Sequence, residues 1–297
     1  MTARTRSLWL LHGVVVIFGF TGILGKLITL DAEPLVFWRV SLGGISTAFY
    51  LAWRREWRRW TPRNLVRASA VGCIVAAHWV TFFAAIKVSS VGLALTMLAT
   101  APLFIGFIEP VVFRRKLAWR ELLVASAVFV GIATVFQAER DQVDGMVLGL
   151  SSAALAALFS TFNGVLVKRL DPVNLSAVEL LFASAAMLVW LAWRGQAGPG
   201  LFIMSAQDWV WVTVLAVVAT SFAFVVSIQV LKNLTPFESA MAINLEPLYA
   251  IVLAWWMFGE RFSPGFYLGA AVVLGAVFLD SWWRAGTQST ANSENAT

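Results

Sequence analysis

Ten long apolar stretches alternate with short polar ones along the chain. Read as helices, they predict spans at 8–28, 35–53, 66–86, 91–113, 121–136, 146–167, 176–193, 209–231, 236–258 and 265–282. About 20 helical residues cross the hydrocarbon core of a bilayer, and only the fifth stretch falls clearly short of that. The Ser-, Thr- and Asn-rich tail 284–297 reads as disordered and cytoplasmic. Arg4 and Arg6 ahead of the first stretch resemble a signal-peptide start, but no small-residue cleavage pattern follows, so the first span is expected to stay.

The polar interruptions of this pattern matter more than the runs. In the ninth span, Ile243-Asn244-Leu245-Glu246-Pro247 places an amide, a carboxyl group and a helix breaker near mid-membrane. A charged side chain at that depth costs roughly 3 kcal/mol on the insertion scale, so it should face protein or water. Proline also frees a carbonyl one turn earlier, which then needs a partner. The fourth span carries a similar point, Thr100-Ala101-Pro102-Leu103.

Composition narrows the class. With 60% hydrophobic and 13% charged residues and a mean hydropathy of +0.79, the chain is read as an all-α integral membrane protein whose partner is the lipid bilayer. The net charge of +6 does not indicate nucleic acid, because the basic residues sit in short loops between apolar runs. Sixteen of the 22 Lys and Arg residues lie at the N-terminus, in even-numbered loops and at the C-terminus; five lie on the other face, and Arg39 lies within the second span. The positive-inside bias therefore predicts both termini in the cytoplasm, and a multi-pass protein of the cell (inner) membrane. Cys73 stands alone, which excludes a disulfide framework or a cysteine metal site. No nucleotide loop, metal motif or cofactor signature is present, so neither cofactor nor metal is expected.

A shift of 145 residues superimposes part of the chain on itself. It pairs Lys87 with Lys232, Ser90 with Thr235, Pro102 with Pro247, Phe113 with Phe258 and Lys116 with Arg261, while Gly22 and Lys26 meet Gly164 and Lys168 at a slightly smaller shift. Five spans per half is odd, so the second copy must run inverted. The expected halves are 1–138 and 139–283, two inverted five-helix repeats around a central cavity, an architecture of secondary transporters.

At this point the chain resembles the drug/metabolite transporter superfamily, and within it the EamA-type ten-helix permeases. The resemblance rests on Phe18-Gly19-Phe20-x-Gly22, Phe37-Trp38-Arg39, Lys87-Val88-Ser89-Ser90-Val91, Thr100-Ala101-Pro102-Leu103, Leu245-Glu246-Pro247 and Phe258-Gly259-Glu260. It implies a pseudo-symmetric bundle with a cavity lined by spans 1, 3, 4, 6, 8 and 9. It also implies export or exchange of small metabolites such as amino acids.

Each deep polar or aromatic residue is a candidate for substrate binding or coupling. His78, near the middle of the third span, has Trp79 beside it and Phe82 one turn on. Phe159 and Asn163 share a stripe with Ser152; Thr220, Phe224 and Ser227 form another; Thr96 and Thr100 are one turn apart. All of these hydroxyls could equally bond the preceding turn of their own helix. Asn244 and Glu246 lie about 200° apart on a continuous helix, so only one should face the cavity, and the more polar face favours Glu246. Glu246 is the candidate proton carrier, with His78 as relay, and Pro102 and Pro247 are candidate hinges. Arg39, about a turn inside the outer face with Asp31 and Glu33 nearby, could gate that face or only snorkel, and Glu109 is expected at an interfacial ion pair with Arg114 and Arg115. Gly265-x-x-x-Gly269 suits close helix packing, within one protomer or across a homodimer.

The function expected is secondary-active transport of a small-molecule substrate by alternating access, with protons as candidate coupling ion. An intramembrane enzyme is the alternative, but the sequence has no H-E-x-x-H or G-x-S-x-G and only two histidines, so no catalytic residue is assigned. A passive channel or lipid scramblase is the third possibility.

Overall fold

A computed structural model of the chain describes residues 2–114, 119–276, 278 and 279. Arg115, Lys116, Trp282, Trp283, Arg284 and the tail 284–297 lie outside them. Every regular element among the described residues is helical. They are α1 (Ala3–Leu27), α2 (Ala32–Arg54), α3 (Pro62–Val88), α4 (Val91–Leu98), α5 (Ala101–Val112), α6 (Trp119–Ala138), α7 (Val143–Leu166) and α8 (Pro172–Trp193). There follow α9 (Ala206–Val214), a π-helical segment (Leu215–Phe222), α10 (Ala223–Val230), α11 (Pro236–Ile243) and α12 (Glu246–Phe258), then α13 (Pro264–Ala276). Eight of these helical stretches are long and apolar enough to cross a membrane, taking α4 with α5, α9 with α10 and α11 with α12. Two shorter apolar helices, Leu123–Ala138 and Pro264–Ala276, fall on the fifth and tenth predicted spans.

Several helices, α1, α3, α7 and α8 among them, begin about a turn earlier than apolar periodicity predicts, because their first turns are polar, whereas α4 and α11 begin where predicted. Thr61, Asp171 and Thr235 each accept a hydrogen bond from the third backbone N–H of the helix they precede, and each is followed by proline at the first helical position. Such caps satisfy N–H groups that otherwise have no partner. Thr235 and Glu238 complete a reciprocal capping box.

Two predicted spans are not continuous helices. The fourth breaks at Ala99-Thr100, between α4 and α5, and the ninth at Asn244-Leu245, between α11 and α12. In both, proline sits in the first turn of the second piece, Pro102 and Pro247. A proline there cannot donate back into the preceding helix, so the chain re-starts instead of continuing. The breaks touch: Asn244 Nδ2 donates to the Ala99 carbonyl at 2.8 Å.

Packing runs mainly between residues before and after position 139. α3 lies against α7 and α8, α2 against α8 and the π-helical segment, α1 against α12 and α10, and α4 against α7 and α12. Close approach at these crossings needs small residues: a Cβ on Gly72 would stand 2.3 Å from the Glu179 carbonyl oxygen. The Gly265-x-x-x-Gly269 face is used within the protomer. A Cβ at Gly269 would meet the Gly131 carbonyl oxygen at 2.7 Å, and one at Gly265 the Ala138 side chain at 2.8 Å, so this face packs on α6.

Candidate functional site

Between the two sets of helices lies a cavity of about 980 Å³, including the space at its mouth. Its wall comes from spans 1, 2, 3, 4, 6, 8 and 9. Span 2 is the addition to what the resemblance implied, and it brings Arg39.

Arg39 is 2% exposed. Its Nε donates to the Thr220 hydroxyl at 2.6 Å, and its guanidinium lies 4.0 Å from the centre of the Trp79 ring and 5.4 Å from that of Phe83. The stacking and the hydroxyl fix the plane of the fork, while Nη1 and Nη2 have no hydrogen bond among the described residues. The cavity wall also holds Glu246, which feels the charge of Arg39 yet forms no ion pair with it within 4.0 Å. A buried guanidinium and a buried carboxyl group thus share one cavity without touching.

Asn244 and Glu246 both line the cavity, at 3% and 4% exposure. The expectation that only one could do so assumed a continuous helix. The break at Asn244-Leu245 removes that constraint, because the two residues belong to different helical pieces.

Aromatic rings fill the space between the polar groups. Trp79 and Phe159 both pack edge-on to Phe224, with centroids at 5.5 Å and 6.2 Å. His78 lies 5.2 Å from Phe159, ring to ring, and 6.4 Å from Phe82. Its Nδ1 is 2.9 Å from both the carbonyl and the hydroxyl oxygen of Ser152 on α7, so half of its hydrogen bonding ties α3 to α7. Phe82, Asn163, Ser227 and Pro247 complete the predicted residues found on the wall.

Thr96, Thr100, Thr220 and Pro102 do not line the cavity. Thr96 and Thr100 donate to their own helix at the Gly92 and Met97 carbonyls, 2.8 and 2.7 Å away. Thr220 loses its shared stripe with Phe224 and Ser227 because the π-helical segment changes the angular register there. It donates to the Leu215 carbonyl, five residues back at 2.9 Å, and turns toward Arg39. Pro102 is buried at the start of α5.

Three charged residues gain roles that periodicity did not indicate. Glu109, expected at an interfacial ion pair, accepts from the Phe237 backbone N–H at 3.1 Å and so holds the first turn of α11. Glu260 accepts from Lys26 at 2.6 Å and from the N–H groups of Val91 and Gly92 at 3.2 Å each, capping α4. Glu179, on α8 behind the cavity wall, accepts from Asn163 Nδ2 at 3.2 Å. It sits inside an apolar run, where the presence of any acid was the signal available.

An apolar helical bundle enclosing an amphipathic cavity with a fixed cation and an acid has the form of a membrane transporter. The sequence profile of the EamA-like transporter family matches this chain twice, over residues 5–137 and 144–282, and the chain belongs to that family. It is 24% identical over 278 residues to "Uncharacterized transporter YxxF" of Bacillus subtilis (strain 168), covering 92% of this chain and 88% of the relative. It is 30% identical over 197 residues to the UDP-galactose translocator of Mus musculus, covering 60% of this chain and 48% of that protein. A solved crystal structure shares the fold with a TM-score of 0.66 at 14% identity, over 93% of this chain and 97% of the other.

Proposed function

We propose that the protein is a secondary transporter that exports or exchanges small zwitterionic metabolites with an apolar body, such as amino acids, by alternating access. The observation that carries this reading is the pairing of Arg39 and Glu246 across one aromatic-walled cavity. The Arg39 fork offers two donors to a carboxylate, a geometry that fits bidentate binding. Glu246 offers acceptors to an ammonium group. The rings of Trp79, Phe159 and Phe224 take the apolar part of the solute. Arg39 and Glu246 are not in contact, so Glu246 is proposed first as the group that meets the ammonium end of the solute; the proton role expected of it stands as a second proposal for the same carboxyl group.

The proposal includes a location in the cell inner membrane and halves 1–138 and 139–283 that act as inverted repeats. The cavity's histidine, His78, meets both the carbonyl and the hydroxyl of Ser152 and so ties α3 to α7, which favours the transporter reading over a catalytic one.

A thermal-shift series on purified protein tests the reading, with amino acids, their decarboxylated amines and their N-acetylated acids as probes. Binding to the folded state at a hundred times Kd adds about 2.7 kcal/mol of stability. Apolar amino acids should raise the melting temperature while both truncated sets do not. Equal shifts from the amines would remove Arg39 from recognition, and no shift from any zwitterion would contradict the substrate class.

A further inference from the structure

Asn163 belongs to the cavity wall, but its amide is shared with an acid behind that wall. Its Nδ2 donates to Glu179 Oε2 at 3.2 Å, and both residues are 0% exposed. Two further atoms of the pair, Asn163 Oδ1 and Glu179 Oε1, are buried with no hydrogen-bond partner. An orphaned buried acceptor is costly, and native structures keep few of them.

The two orphans share one deficiency: each is an acceptor lacking a donor. A single proton on Oε1 supplies it. The carboxyl O–H then donates to the amide oxygen while the amide N–H donates to Oε2, giving a doubly hydrogen-bonded acid–amide pair. A cationic side chain would be the other remedy, and none among the described residues is in place. Against α8 pack α2, α3 and α10. Arg39 on α2 acts on Glu246 and on His78 of α3, and α10 carries no titratable residue. Asp144, at the far end of α7, is the other acid on Asn163's helix. Among the described residues, Asn163 is the group that acts on Glu179.

We propose that Glu179 and Asn163 form a proton-binding site read out at the cavity wall. With the proton bound, the Asn163 oxygen is engaged by the acid. With the proton released to water, that oxygen is free to accept an N–H from a solute in the cavity. Proton and solute then compete for one amide oxygen, and by linkage each weakens the other by the same factor. The competition rests on the transporter reading above; the proton site does not.

The test needs no substrate, so its failure is distinct from a failure of that reading. Infrared difference spectra of the lipid-reconstituted protein are recorded across a pH series, looking for the carbonyl band of a buried protonated carboxylic acid. The wild type should show the band, and Glu179→Gln should abolish it. Gln presents an amide N–H where the acid O–H would be, so the pair and the fold should persist. Asn163→Ala keeps the acid and removes its partner, so it should shift the band; this variant also decides the matter if Glu179→Gln does not fold. Glu246→Gln should leave the band in place. A band surviving in folded Glu179→Gln, a band unmoved by Asn163→Ala, or no such band in the wild type at any pH would overturn the proposal.

Discussion

At the residue scale, Arg39 shows how a charge is kept inside an apolar bundle. Its stem and plane are held by Thr220 and Trp79, leaving a pre-oriented fork that lysine cannot reproduce. Arg39→Lys keeps the charge but loses both the fork and the stacking. It should weaken binding of a zwitterionic solute by about 1.5–3 kcal/mol, roughly ten- to a hundred-fold, in titration calorimetry on purified protein. Unchanged affinity would mean that the solute does not reach Arg39. Away from the membrane core, Asp171 joins two loops. Partial burial pushes its carboxyl up, but hydrogen bonds from the Asn174 side chain and backbone, with Arg58 and Lys232 nearby, hold it below the usual value. Asn174 in turn donates to the Glu56 carbonyl and accepts from the Arg58 N–H, at 3.1 and 2.9 Å. Asp171→Ala should cost about 1 kcal/mol in unfolding experiments at neutral pH. Because the folded pKa is the depressed one, that stabilisation is complete above the unfolded value near 3.9 and is lost as pH falls through the folded value. A difference between variant and wild type that persists at the acid limit would assign the loss to packing.

At the element scale, the breaks in the fourth and ninth spans place the site. Each ends one helical piece at mid-span and restarts it with a proline, and Asn244 bonds across to Ala99. The far ends are tied reciprocally: Glu260, just past α12, caps α4, while Glu109 near the end of α5 holds the start of α11. Bending at the breaks is thus available between fixed ends. Replacing Pro102 and Pro247 together with Ala restores the missing donors, and should leave insertion intact while slowing solute exchange several-fold in liposomes. An unaltered exchange rate would make the prolines packing features.

The prolines and the mid-span acid were legible in the sequence, because a breaker and a charge inside an apolar run stand out. The consequence of the break was not. Treating 236–258 as one helix set Asn244 and Glu246 on opposite faces, and only the interruption lets both reach the cavity. Thr220 was misplaced for a related reason, since a π-helical turn leaves no mark in hydropathy. Arg39 was visible as a charge, but what it stacks on comes from a helix folded against it, and spacing along one helix does not encode that.

At the scale of the whole molecule, the apolar pattern and the charge bias determine what the helices do together. The proposed orientation, with both termini cytoplasmic, predicts that reporter fusions after Trp60 and Thr287 report the cytoplasm and one at Asp141 the outside. A cytoplasmic signal at Asp141 would contradict the proposed inversion of the second half. The most extensive helix contacts join segments before and after position 139, and the cavity lies among them. The cavity is proposed to face the two sides of the membrane in turn. Counterflow measures this directly, with purified protein in liposomes and radiolabelled apolar amino acids outside. Alternating access predicts that unlabelled solute loaded inside accelerates uptake of the label and drives it transiently above its equilibrium level. A channel or a scramblase would give uptake indifferent to the internal solute, and that result would contradict the account.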